Sequence, residues 1–271
     1  MTRIIVIIVF VFFAINTFSQ NIDQSKVPAV ILNTFQIKFP NADDVHWKKE
    51  DKNYQIKYKV NSKPHIVKMD YKGSVFEHSQ DLYVSEIPQL VLNTIKPRIT
   101  YFDIEDADRY EKGNRIVYEI KFRIDGKNHY FWVNEKGDLL KYRKVLKDSE
   151  IPLGIMNFIK TKYGNIDINY SKYVEEGSEI IYIVDGEIKD NDHNFRFDAK
   201  GNIIKLIIEI NKSEIPNSII KTLSTSYDGY EIRNADLVEE NGETVYILKI
   251  RKSKKQVYVT FNANGKILKV K

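Results

Sequence analysis

The amino-acid sequence predicts an α+β protein of four tandem units, each one helix followed by about four antiparallel strands. Three observations carry this. Ser25-Lys26-Val27-Pro28, Ser85-Glu86-Ile87-Pro88, Ser149-Glu150-Ile151-Pro152 and Ser213-Glu214-Ile215-Pro216 repeat one pattern, and each opens an apolar stretch. A second marker, Gly73, Gly137, Gly201 and Gly265, returns every 64 residues. Between the markers, apolar residues run first at helical spacing and then at alternate positions. A period of this length marks one supersecondary unit copied, with neighbours sharing buried surface.

The helix comes first in each unit. Aliphatic side chains from Val27 through Phe35, Ile87 through Ile95, Ile151 through Ile159 and Ile215 through Leu223 sit three and four apart, as do Ile215, Ile219, Ile220 and Leu223. The serine is expected to cap the orphan amides, and the proline after it to occupy the first turn, where no N–H is needed. Pro97 is expected to end the second helix.

The strands follow. A short first strand is expected at Val45 to Trp47, Arg109 to Glu111, Tyr173 to Glu175 and Leu237 to Glu239. The next carries Tyr54, Tyr118, Tyr182 and Tyr246, with Ile56, Ile120, Val184 and Leu248 two residues on, all facing the core. The third repeats this with Val67 and Met69, Phe131 and Val133, Phe195 and Phe197, Val259 and Phe261. A hairpin ends at the marker glycine, which supplies a positive φ, while the Asp or Asn three residues before it caps the turn. The last strand runs through Val75, Leu139-Leu140, Ile203-Ile204 and Ile267-Leu268. A unit of about 60 residues is marginal alone, so pairs of units are expected to share a core, with a hinge near Lys147 to Ser149.

At the N-terminus, Arg3 precedes twelve apolar residues from Ile4 to Ile15 and then a polar group ending at Ser19-Gln20. This is the pattern of a secretory signal peptide cleaved near Ser19, and it is short for a spanning helix, which needs about 20 residues. The expected order is therefore a leader over 1–19 and units over 20–84, 85–148, 149–212 and 213–271, in a periplasmic or secreted protein with no membrane anchor after cleavage. No cysteine is present, which excludes a disulfide framework and a lipid-bearing cysteine at the cleavage site. The formal net charge of +5 is a solubility charge and gives no footprint for nucleic acid. The basic cluster Arg251, Lys252, Lys254 and Lys255 reads as a solvated hairpin edge.

Phe39-Pro40-Asn41-Ala42-Asp43-Asp44-Val45-His46-Trp47, followed by a tyrosine-bearing strand and the Asp70-Tyr71-Lys72-Gly73 hairpin, resembles the PepSY-like repeat of exported bacterial proteins. That group is placed with the β-lactamase inhibitor protein (BLIP) fold, tandem units of a helix and a four-stranded antiparallel sheet. The second and third units lack the Pro-Asn-Ala and tryptophan elements; the fourth keeps Asn234-Ala235-Asp236. The resemblance implies two BLIP-like domains and a protein that binds another protein, with or without inhibiting it. It carries over no catalytic residue.

The residues themselves point to binding more than to catalysis. His65, His129 and His193 share the 64-residue step, but equivalent positions of successive units stand a unit apart, so they read as locally bonded strand residues and no metal is expected. Asp190-Asn191-Asp192-His193-Asn194 opens like a calcium loop, yet Phe195 and Gly201 stand where the turn glycine and bidentate glutamate belong, so a polar hairpin tip is expected. No nucleophile elbow, phosphate loop or dinucleotide fingerprint occurs, and no cofactor is expected. On the third strand the positions facing away from the helix carry Ile66, Lys68, Tyr130, Trp132, Arg196 and Tyr258. Tyr, Trp and Arg are the residues enriched at interface hot spots. This face is the candidate site for an unidentified protein partner; the alternative is that it packs on the sheet of a neighbouring unit. Two rival functions stay open: a hydrolase with an unrecognised carboxylate pair, which needs a cleft lined by acids of two units, and an envelope adaptor that binds a glycan on the aromatic residues.

Overall fold

The computed structural model describes residues 19–99 and 103–271, so the expected signal peptide lies outside the described residues apart from Ser19. The described residues are mostly antiparallel sheet, with four α-helices. In order they are β1 Ser19–Ile22, α1 Ala29–Lys38, β2 Asp43–Glu50, β3 Asn53–Val60, β4 Lys63–Met69 and β5 Val75–Asp81. Next come α2 Gln89–Ile95, β6 Ile104–Lys112, β7 Arg115–Ile124, β8 Lys127–Asn134 and β9 Leu139–Val145. Then follow α3 Leu153–Lys162, β10 Asp167–Glu176, β11 Glu179–Ile188, β12 Asn191–Asp198 and β13 Ile203–Glu209. The chain closes with α4 Asn217–Ser226, β14 Glu231–Glu240, β15 Glu243–Lys252, β16 Lys255–Asn262 and β17 Ile267–Val270.

Two expectations about boundaries are corrected. The serine of each Ser-x-x-Pro motif does not cap the helix: it lies inside a short 3-10 turn, and the helix begins after the proline, whose carbonyl takes the first intrahelical bonds. In the last three units the acidic residue beside the serine is the capping group. Glu86, Glu150 and Glu214 accept hydrogen bonds from the backbone N–H of Tyr83, Lys147 and Asn211, at 2.7, 2.8 and 2.7 Å, which satisfies amides that the tight turn leaves unpaired. The first strand of each unit is also longer than its apolar residues suggest, eight to ten residues, because its charged outer positions are held by ladder bonds on both sides. As expected, α2 stops at Ile95 and Pro97 falls in a following 3-10 turn.

The marker glycine is required twice over. Gly265 has φ +81°, and a Cβ there would lie 2.5 Å from the Ser218 carbonyl oxygen of α4; at Gly73, with φ +86°, it would lie 3.2 Å from the Val30 oxygen of α1. Only glycine combines that conformation with so close an approach to the helix.

By contacts the chain divides into two compact parts. The first holds the described residues up to Asn93 with Asp106–Ile120 and Asn134–Gly137; the second holds those of Thr94–Glu105, Lys121–Val133 and Asp138–Lys271. The division does not fall at the hinge expected near Lys147 to Ser149. In the first part each strand from β1 to β6 pairs antiparallel with the next in sequence. In the second, β8 to β17 do the same.

Helices cover one face of these sheets. In the first part Ile31 and Phe35 of α1 pack on Trp47, Ile56, Tyr58, Val67 and Met69. In the second, Ile155 and Ile159 of α3 pack on Val184, Phe195, Phe197 and Leu206, while Ile219 and Leu223 of α4 pack on Leu248, Ile250, Val259 and Phe261. These three described cores each hold a single helix, where a core shared by two units was expected. The inward positions read from the alternation are inward: Ile56, Ile120, Val184 and Leu248 are fully buried, as are Val67, Met69, Phe131, Val133, Phe195, Phe197, Val259 and Phe261.

Candidate binding face

Side chains alternate across a strand, so burying Phe131 and Val133 under the helix layer turns Tyr130 and Trp132 to the opposite face. Antiparallel register then decides their neighbours. Tyr130 stands opposite Arg143 and Trp132 opposite Lys141 on β9; Arg143 stands opposite Val174 on β10. Lys172 lies between Val145 and Ile183, Ile183 is opposite Arg196, and Tyr170 is opposite Asp185. None of these open-face side chains is buried, whereas the opposite face of the same strands carries the buried Phe131, Val133, Tyr142, Val184 and Phe195.

The aromatic and cationic groups interlock. The rings of Tyr130 and Trp132 lie 6.0 Å apart and 18° from parallel. The Arg143 guanidinium sits 4.1 Å from the Tyr130 ring centre and 5.6 Å from that of Trp132. Lys141 approaches Trp132 at 5.7 Å and Lys172 approaches Tyr170 at 5.5 Å. Contacts of this kind orient a cation over the electron-rich ring face. Burial pushes the Lys172 ammonium below its ordinary range; Asp185 opposes this, and Arg143, Arg196 and Lys141 add to it as like charges. Lys141 is paired with Glu176 at 2.9 Å. Arg143, Lys172 and Arg196 have no ion pair among the described residues, and the Nε of Arg143 is buried without a hydrogen-bond partner.

Of the six residues picked out by alternation, the structure thus brings Tyr130 and Trp132 into contact and sets Arg196 on the same face, in the field of Lys172. Tyr258 is on β16, 43% exposed, with Lys249 beside its ring, and it belongs to no such cluster. Ile66 and Lys68 lie in the first part, where Lys68 is paired with Glu77 at 3.0 Å. Arg143, Tyr170 and Lys172 were missed. They sit on β9 and β10 rather than on the third strand of the unit, and only the register against β8 reveals them.

The period-related histidines His65, His129 and His193 each have separate partners. His65 Nδ1 lies 3.2 Å from His78 Nε2, which in turn lies 3.1 Å from the Tyr58 hydroxyl; His129 bonds Tyr142 and His193 bonds the Asn191 carbonyl. Burial and the neighbouring His65 hold His78 down at about 4. No group of three or more His, Asp or Glu among the described residues is arranged to hold a metal ion. The calcium-like segment is mostly strand: only Lys189 and Asp190 form the tip, both at positive φ, and His193 is buried.

Acids gather at two other places. In the first part Asp108 faces Asp81 across β5 and β6, with Asp106 and Glu119 near; burial first, then those like charges, raise its carboxyl to about 7. In the second part a shallow cleft is lined by Asp185, Asp192, His193, Asn194, Glu209 and Asp236, and burial together with Glu209 raises the Asp236 carboxyl.

No protein-family model matches the chain, and no curated protein does. The resemblance to PepSY-like repeats therefore stays an expectation. Solved structures that are similar come from Bacteroides. A DUF2874 family protein of Bacteroides ovatus is 20% identical, with 43% of this chain and 86% of that one covered and a TM-score of 0.38. A BLIP-like protein of Bacteroides fragilis is 19% identical over 46% and 93%, with a TM-score of 0.36. A Bacteroides eggerthii protein provisionally described as periplasmic is 13% identical over 44% and 88%, with a TM-score of 0.39. Similarity at this level fixes neither partner nor activity.

Proposed function

We propose that this is an exported, non-enzymatic binding protein that holds another protein on the open face of its sheet, centred on Tyr130, Trp132 and Arg143. The observation that carries the reading is the cluster itself: two stacked aromatic rings and an arginine fixed over them, on the face opposite the buried Phe131 and Val133. Such groups supply large contact area at small entropic cost, which is why they recur as interface anchors. The four units, with boundaries at 20–84, 85–148, 149–212 and 213–271 and pairing into two BLIP-like domains, form the scaffold in this reading. The leader over 1–19 directs the chain out of the cytoplasm.

The test is co-purification from envelope extract with wild type and a Tyr130→Ala, Trp132→Ala double variant. Partners recovered with the wild type and lost with the variant support the face, and equal recovery overturns it.

A second reading rests on one observation, the acidic cleft of Asp185, Asp192, Glu209 and Asp236. A carboxyl with a raised pKa beside another acid is the arrangement a glycoside hydrolase uses. Turnover of a nitrophenyl glycoside lost in Asp236→Asn would favour this reading over binding.

A further inference from the structure

We propose that the partner reaches this face through an acidic polypeptide segment, whose carboxylates dock on Arg143, Lys172 and Arg196; the inference rests on the binding reading above. Charge complementarity carries it. Two other open-face cations of the second part have their own acids, Lys141 with Glu176 and Lys205 with Glu240 at 2.7 Å. Arg143, Lys172 and Arg196 have none. Three half-buried cations on β9, β10 and β12, none with an acid of its own, form a surface that an anion completes.

The geometry selects carboxylate. Arg143 is held by its ring contacts before anything binds, so its planar fork is preorganised for two-point recognition. Strands lie about 4.8 Å apart, so the cations on β9, β10 and β12 spread over about 14 Å, the span that three acids at alternate positions of an extended chain, about 6.8 Å apart, also cover. A sugar ring is a poorer fit. Stacking needs an open aromatic face, and here Arg143 covers one face of Tyr130 while Arg143 and Lys141 crowd Trp132.

The experiment uses the full mature chain and a synthetic decapeptide with Glu at alternate positions, against the same peptide with Gln, a chondroitin sulfate hexasaccharide, and sedimentation of the protein alone. Trp132 fluorescence reports binding, since the other tryptophan, Trp47, is buried. The Glu peptide is expected to bind saturably and the Gln peptide not. Affinity should fall about tenfold in Arg143→Gln and again in Lys172→Gln, as for lost charge-assisted hydrogen bonds, and should weaken as salt is raised. Arg143→Lys should recover part of the loss. Equal behaviour of the two peptides overturns the proposal. So does binding of the hexasaccharide alone, which assigns the face to glycans, or dimerisation abolished by Arg143→Gln without peptide binding, which assigns it to a second copy. Capture of a natural partner that is lost in the Tyr130→Ala, Trp132→Ala variant but intact in Arg143→Gln and Lys172→Gln removes the acidic segment and leaves the binding face standing. Capture unchanged in all variants removes the face as well.

Discussion

The open face of β4 to β6 and the open face of β8 to β10 occupy equivalent places in the repeat and carry opposite chemistry. Where the second has Tyr130 and Trp132, the first, 64 residues earlier, has Ile66 and Lys68; Arg143 answers to Ser79, Lys141 to Glu77, Tyr170 to Asp106 and Lys172 to Asp108. In the first part the cations are satisfied in place, Lys68 and Lys112 both reaching Glu77, and the acids crowd around Asp108. In the second the acids are thinned and the cations stand over aromatic rings. The backbone repeat fixes where each side chain points, and the helix-covered side must keep its volume to stay packed. The open side is free of that constraint, so its chemistry can differ from unit to unit.

The sharpest way to test this division is to truncate adjacent residues of β8. Phe131 is fully buried and Trp132 is its neighbour on the open side. Phe131→Ala is expected to cost about 3–5 kcal/mol, the range for emptying an aromatic site in a core. Trp132→Ala should cost far less stability while abolishing partner capture. Urea denaturation of both variants measures the contrast, and equal losses would mean that Trp132 is part of the scaffold.

How much of this was legible in the sequence follows the same line. Inward positions such as Ile56, Phe131 and Val259 announce themselves, because burial restricts them to apolar types at period two. The helix, the hairpin glycine and the stop at Pro97 were likewise readable, each resting on a local backbone requirement. The Ser-x-x-Pro motif was visible but misread, since a serine before a proline fits a helix cap and a 3-10 turn equally and only the glutamate's reach back to residue 83, 147 or 211 decides. The binding cluster was half legible. Tyr130 and Trp132 lie on one strand, but Arg143 and Lys172 join them through register, which depends on hairpin length rather than on residue type.

A pH titration sharpens the comparison next. Asp108 has its carboxyl raised to about 7 in the fold, so the folded state favours its protonated form; that contribution is complete below about 4 and is lost as pH rises through 7. His78 works the other way. Its folded value of about 4 lies below the ordinary 6.5, so its contribution is complete above 6.5 and is lost as pH falls towards 4. Between about 4 and 6.5 the two contributions change in opposite directions and offset each other, so a substitution is needed to separate them. Asp108→Asn should raise Tm relative to wild type at pH 8 and leave it nearly unchanged at pH 4. A difference that is the same at both pH values would show that the carboxyl pair does not titrate across this range.

The smallest effect belongs to the satisfied cation of the first part. Lys68 and Glu77 form an ion pair with about a third of each side chain open to water, a setting in which solvent screening leaves about 0.2–1 kcal/mol. Lys68→Gln should therefore shift stability by no more than that, and the shift should shrink as salt is raised. It should leave binding of the Glu peptide unchanged, because Lys68 is already neutralised where it stands. If Lys68→Gln weakens peptide binding as much as Lys172→Gln does, pairing within the fold does not distinguish the two faces. The contrast between them would then lie in the aromatic residues, since Tyr130 and Trp132 have only Ile66 and Lys68 as counterparts in the first part.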